Sequence, residues 1–206
     1  MPITNHKIKR SRLILSIVGI LAFCIFAYFY AHVERSTVNY TKNQNAVSTT
    51  GEIDQSVTIE QAFVADKEGF CGISLLFGTY DRSNTSSIAI SILDEQSQNV
   101  YQKEINTADL KDNAEYRLDF SPMTQSSGKS FLLVISTPDA KEGNAIAIYT
   151  YPDTEGNKAY LRNKNTTADV LALKTYYQYF DYQTIIVLVY FALVIIAFIT
   201  YIYKYI

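Results

Sequence analysis

Two long apolar runs bracket this chain, and between them hydrophobic positions recur in short alternating stretches. Residues 13–31 (LILSIVGILAFCIFAYFYA) and 184–203 (TIIVLVYFALVIIAFITYIY) hold no charged side chain. A helix needs about 20 apolar residues to cross a hydrocarbon core of about 30 Å, so each run predicts a transmembrane helix, over 13–31 and 182–203. For the second run, at roughly −0.3 to −0.6 kcal/mol per Leu, Ile, Val or Phe, insertion is favoured by on the order of 5 kcal/mol. The first run has a rival reading as a cleaved signal peptide. Its length exceeds the usual signal core, and Phe29 spoils a small-residue cleavage site ending at Ala31, which favours a retained anchor.

The stretch between the runs follows a different period. Residues 32–50 are polar and rich in Asn, Thr and Ser, and read as a linker. From residue 51 to about 178, short alternating runs are divided by turn residues, the mark of an all-β sandwich or barrel. Strands are expected near 56–64, 72–80, 87–93, 99–104, 115–120, 130–136, 145–151, 159–161 and 170–176, with one helical turn at 107–110. Ile88, Ile90 and Ile92 alternate cleanly. Phe131 to Ile135 is apolar on both faces and so predicts a central strand. Eight or nine short strands with hardly any helix point to a jelly-roll-like sandwich flanked by an N-terminal and a C-terminal transmembrane helix.

Charge orients this arrangement. All 20 acidic residues fall between the two runs, while 5 of the 18 bases flank them, leaving 13 bases against 20 acids and a net charge of −7 in the middle. An acidic middle argues against nucleic acid as a partner. Lys7, Lys9, Arg10 and Arg12 form a basic leader (1–12) expected to stay cytoplasmic, with Lys204 in a short tail (204–206) on the same side and the middle outside. Tyr28, Tyr30, Tyr177, Tyr182, Tyr201 and Tyr203 fall where interfacial belts belong, so membrane lipid is the first expected partner. Gly19, Ala27 and Ala31 are small residues suited to close helix–helix contact. Neither run holds an ionisable group, which excludes an ion path or proton relay through them. Asn39, Asn84 and Asn165 match the glycosylation acceptor pattern, a motif short enough to arise by chance.

Catalytic chemistry finds few components. The two histidines, His6 and His32, both lie outside the sandwich, so no Ser-His-Asp or Cys-His arrangement is available there. Cys24 sits in the first run and Cys71 in an expected strand, so the two cannot pair, and a zinc site has no clustered ligands. No cofactor is expected. Hard oxygen ligands in the turns suit a structural calcium ion, although no Asp-x-Asp-x-Asp run is present. Paired carboxylates for a wall-polymer hydrolase are available by count, but most acids sit in turns. The most distinctive segment is Thr79 to Asn84, where Tyr80, Asp81, Arg82 and Asn84 offer an aromatic face, a bidentate donor and polar acceptors, a kit for binding sugar hydroxyls. The plainer reading of those residues is a hairpin turn whose Arg82 pairs with a neighbouring acid.

The string GISLLFGTYDRSNTSSIAISILDEQSQNVYQKEINTADLKDNAEYRLDF, followed by GKSFLLVIST and GNAIAIYT, resembles an extracytoplasmic jelly-roll domain of bacterial envelope membrane proteins. The resemblance covers roughly residues 59–151 and rests on pattern rather than on a catalytic motif. It implies a role near cell-surface polysaccharide or teichoic acid assembly. With two spans here, a polytopic enzyme or transporter would be a separate partner. The expectation is a non-catalytic anchored accessory protein whose sandwich binds a cell-surface glycan or a partner protein. A ligand-sensing subunit that signals through a partner's helices is the alternative.

Overall fold

The computed structural model describes residues 3–38, 48–154 and 159–205, with the side chains of 3–13, 15–16 and 203–205 outside the description. The chain divides into two compact units, the terminal segments 1–33 and 179–206, and residues 34–178 between them.

The terminal unit holds α1 (Ile3–Ala31), which begins ten residues before the expected span, and later the C-terminal α2 (Tyr182–Tyr205). Within α2, residues 182–202 are long and apolar enough to cross a membrane, while the described apolar part of α1, 17–31, is shorter. Asp181 caps α2, accepting the N–H of Gln183 at 3.0 Å and of Thr184 at 3.3 Å. Its own N–H donates to the Ala31 carbonyl at 2.8 Å, tying the end of α1 to the start of α2. Of the three small residues expected at helix contacts, Ala27 and Ala31 are buried, whereas Gly19 has nothing within 4 Å of where its Cβ would lie. Tyr28, His32, Phe180 and Tyr182 form a chain of ring contacts with centroids 4.7–6.0 Å apart. Tyr28, Tyr30, Tyr182 and Tyr201 are exposed on this unit. The Tyr203 side chain lies outside the described residues.

The middle unit is a sandwich of two antiparallel sheets. Its strands are β1 (His32–Val38), β2 (Ser48–Thr49), β3 (Thr58–Val64), β4 (Phe70–Gly78), β5 (Ser87–Leu93), β6 (Asn99–Asn106), β7 (Ala114–Met123), β8 (Ser130–Ser136), β9 (Ala147–Pro152), β10 (Leu161–Arg162), β11 (Asn165–Thr166), β12 (Asp169–Leu171) and β13 (Leu173–Phe180). One sheet runs β1-β13-β4-β9-β12, with β7 on β4 and β2 on β9; the other runs β11-β10-β3-β8-β5-β6. β8 lies between β3 and β5 with Leu132 and Val134 half-buried, as a strand apolar on both faces requires. The core between the sheets is built from Ile59, Ile73, Leu75, Ile90, Leu118 and Leu133, all at 0% exposure. At one end it becomes aromatic: Phe70 contacts Phe63, Phe120, Phe131 and Tyr177 with centroids 4.9–5.9 Å apart.

Three expectations are corrected here. The polar stretch 32–50 is not all linker: its first seven residues form β1 beside β13, and Ser48–Thr49 pairs with β9. β1 is held by polar contacts that carry no hydrophobic period, Thr37 Oγ1 with Thr175 Oγ1 at 2.7 Å and the Glu34–Arg117 pair. The expected strand 170–176 breaks at Ala172, whose N–H donates to Tyr149; β12 before it pairs with β9, and β13 after it pairs with β4. Tyr177 is not an interfacial residue but a core one at 0% exposure. It continues the inward alternation of Leu173 and Thr175, and its hydroxyl donates to Thr175 Oγ1 and accepts the Asp66 N–H, each at 3.0 Å.

Candidate functional site

The Thr79–Asn84 loop follows β4 at the end of the sandwich opposite to that where β13 finishes. Tyr80 and Asp81 have φ of +57° and +56°, and Arg82 N–H closes the turn on the Thr79 carbonyl at 3.2 Å. Such a turn normally takes Asn-Gly, because left-handed backbone costs other residues about 1 kcal/mol or more each. Asp112 offsets that strain. Its carboxylate accepts Thr79 N–H at 2.5 Å and Thr79 Oγ1 at 3.1 Å. The Thr79 N–H above all, with those of Asp81 and Tyr80, holds its pKa below the usual range.

The polar groups of this loop are turned to structure. Arg82 Nη2 donates to Glu52 at 2.5 Å and to the Ala145 carbonyl at 3.1 Å, with its guanidinium 4.8 Å from the Tyr80 ring centre. Glu52 also accepts Gly143 N–H, and that bond first, then Arg82, lowers its pKa. Asn84 is 1% exposed, with its amide donating to the Thr79 carbonyl at 3.3 Å, so it is no glycosylation acceptor in the folded domain. Arg82 Nε and Asn84 Oδ1 are buried without a partner. Of the four residues singled out in sequence, Tyr80 and Asp81 face solvent, Arg82 is half-buried in an ion pair and Asn84 is interior.

A second charged cluster covers the outer face of the β13-β4-β7 sheet. Arg117 grips Glu34 with two bonds of 2.8 and 2.9 Å, donates to Asp119 at 2.6 Å and stacks 3.9 Å over the Tyr176 ring centre. The Arg117 bond holds the Glu34 carboxyl below its usual pKa. Beside it Lys174 pairs with Glu115. These charges are mutually satisfied and clamp β1 and β7 to the sheet.

A third feature is concave. Where the β5–β6 and β7–β8 turns meet, a cavity of about 170 Å³ opens to solvent. Val100, Met123 and Phe131 give it an apolar wall, and Gln96, Thr124, Gln125 and Lys129 give it a polar rim. Both turn tips hold left-handed residues, Ser97 at +61° and Gln125 at +56°. Asp94 Oδ1 folds the first turn by accepting the N–H groups of Gln96 and Gln98, each at 2.9 Å. Glu95 Oε1 reaches across to Ser130 N–H at 3.0 Å, joining the two turns. The second turn is pinned to the β3–β4 loop by Gly128 N–H to Ala65 O at 2.8 Å and Ala65 N–H to Lys129 O at 2.9 Å. Buried Ser126 adds bonds to Lys67 O and Phe70 N–H. In sequence these residues read only as polar turns, and no motif marks the cavity.

Carboxylates are present at all three features, but residues 34–178 hold no histidine. Cys71 is buried and its thiol is pushed up chiefly by that burial, the opposite of what a nucleophile needs. Among the described residues no three His, Cys, Asp or Glu side chains gather as metal ligands.

No protein-family model and no curated protein sequence matches the chain. Among solved structures, the lectin domain of lectinolysin complexed with Lewis B antigen is similar at 16% identity and a TM-score of 0.30, over 57% of this chain and 89% of that one. A His 62 mutant of the same lectin domain matches at 15% identity and a TM-score of 0.29, over 58% and 93%. The infectious bursal disease virus VP2 subviral particle matches at 14% identity and a TM-score of 0.22, over 71% and 39%. At this degree of overlap no ligand or activity carries across.

Proposed function

We propose that this protein is a non-catalytic, membrane-anchored accessory protein of the cell envelope. Its jelly-roll-like sandwich binds a surface glycan while its two terminal helices hold it in the bilayer beside a polytopic enzyme or transporter. The observation that carries this reading is a concave, part-apolar site with unengaged polar groups on a sandwich whose residues 34–178 hold no histidine and, among the described ones, no cluster of metal ligands. Sugar recognition needs such a mixture of hydrogen-bonding side chains and apolar wall, with no reacting group. The helices fit the anchoring half of the proposal: no acidic or basic residue interrupts 13–31 or 184–203, so neither can serve transport alone. Gly19, open on α1, leaves room for a partner helix to approach.

The test is affinity capture of the full chain from solubilised membranes, with both bound polypeptides and bound carbohydrate analysed. Co-purification of envelope polysaccharide or of a polytopic envelope-synthesis protein supports the proposal. Recovery of neither refutes it.

A further inference from the structure

Three polar assemblies lie on the sandwich, and in two of them the principal charged groups pair with one another or with the backbone. In the Thr79–Asn84 loop Arg82 is paired with Glu52 and Asp112 is taken up by Thr79, and on the outer sheet face Arg117 is bonded to Glu34 and Asp119 and stacked on the Tyr176 ring. The cavity between the β5–β6 and β7–β8 turns differs. Each of its two carboxylates uses one oxygen for the backbone, Asp94 Oδ1 and Glu95 Oε1, and has the other unengaged among the described residues. The Lys129 ammonium, the Gln96 and Gln125 amides and the Thr124 hydroxyl likewise have no side-chain partner there.

We propose that this cavity is a subsite for one neutral pyranose ring, a proposal that rests on the glycan-binding reading and locates it. A sugar hydroxyl both donates and accepts, so it needs carboxylate oxygens, amides and an ammonium in mixture rather than a single sign of charge. The lining supplies that mixture, and Val100, Met123 and Phe131 supply a surface for the ring's C–H face. About 170 Å³ is below the few hundred Å³ of drug-sized pockets and suits a single ring rather than a chain threaded through it. Two carboxylates against one ammonium leave the site negative, so an acidic sugar or a phosphate is repelled. The site is also held in advance. Glu95 ties one turn to the other, and the β3–β4 loop fixes the second turn from behind, so little ordering accompanies binding.

The test is saturation-transfer NMR on the full chain in lipid nanodiscs, free of sugar-headed detergent. The probes are the methyl glycosides of glucose, galactose, mannose and N-acetylglucosamine, with methyl glucuronide as the acidic comparison. The expected result is transfer to at least one neutral glycoside, with a dissociation constant on the order of millimolar, and none to the glucuronide. Lys129→Ala combined with Gln125→Gly, which keeps the left-handed backbone accessible, should weaken binding roughly tenfold or more by removing a charged and a neutral hydrogen bond. Thr124→Trp, which fills the cavity, should abolish it, while Tyr80→Ala at the other end should leave it unchanged. Neutral-glycoside binding that survives both cavity variants overturns the subsite while leaving glycan binding standing. Absence of transfer to every probe overturns the subsite, and the affinity capture then judges the broader reading separately.

Discussion

Ser126 is the residue on which the cavity's second turn hangs, and replacing it by alanine is a measurable perturbation. The side chain is 1% exposed. Its hydroxyl donates to the Lys67 carbonyl at 2.9 Å and accepts the Phe70 N–H at 3.1 Å. Alanine keeps the backbone and removes one oxygen, so the packing loss is small. Phe70 is at 0% exposure, so its amide is left buried and unpaired, which costs about 1–3 kcal/mol. The Lys67 carbonyl loses a net contribution of about 1 kcal/mol at most. The expected destabilisation is therefore about 2–3 kcal/mol. For a domain of this size that lowers the melting temperature by roughly 6–10 °C. The assay is thermal unfolding by circular dichroism on the full chain in nanodiscs, paired with hydrogen exchange of the peptide holding Phe70. A 2 kcal/mol loss accelerates exchange there roughly thirtyfold if the amide opens with the domain. A melting temperature within about 1 °C of the parent, with unchanged exchange at Phe70, would refute the reasoning.

Three further outcomes follow from the same structure. Gln61 is 1% exposed on β3, and its Oε1 accepts Leu171 N–H at 2.7 Å across the sandwich while its Nε2 has no partner. Gln61→Ala should cost about 2 kcal/mol through the orphaned Leu171 amide and the void; Gln61→Met, which keeps the volume and removes the unpaired amide, should recover part of it in chemical denaturation. Gly69 has φ of +71°, and a Cβ there would lie 1.9 Å from the Gln178 carbonyl oxygen, so Gly69→Ala should cost at least about 3 kcal/mol and show as poor folding yield. Asp112 and Glu52 have lowered pKa values in the folded domain, the first held by Thr79 N–H and the second by Gly143 N–H. A lowered folded pKa stabilises above the ordinary carboxylate range of about 4, and that stability fades as pH falls below it. Melting temperature should thus hold from neutral pH to about 5 and drop in acid; Asp112→Asn should make the acid limb shallower, and an unchanged limb would contradict the assigned bonds.

The parts of this fold that sequence reveals are those governed by burial. Ile88, Ile90 and Ile92 announce β5 because every second residue enters the core, and uncharged 184–203 announces α2 because its backbone needs a low-polarity span. β1 escapes because HVERSTV is secured by Glu34, Thr37 and their polar partners, which leave no apolar period. Tyr177 is misplaced by its company: five aromatic residues between 176 and 182 look like an interfacial belt, although Leu173, Thr175 and Tyr177 already carry the strand's inward alternation. In the Thr79–Asn84 loop, sequence suggests an acidic partner for Arg82 but does not identify it, because Glu52 lies thirty positions away. The cavity is invisible in sequence because its two turns are about 30 residues apart and each alone is ordinary polar chain; the pairing of β5 with β8 brings them together and Glu95 bridges to Ser130.

In the proposed arrangement the two uncharged runs, 13–31 and 184–203, hold the sandwich on the outer side of a membrane. Cys71 is buried and Cys24 lies in the first apolar run, so a single added thiol can report the side directly. In cells expressing Cys24→Ser with Lys141→Cys, an exposed position between β8 and β9, a membrane-impermeant maleimide should label the protein in intact cells. Labelling that appears only after permeabilisation would place the sandwich inside and contradict the account.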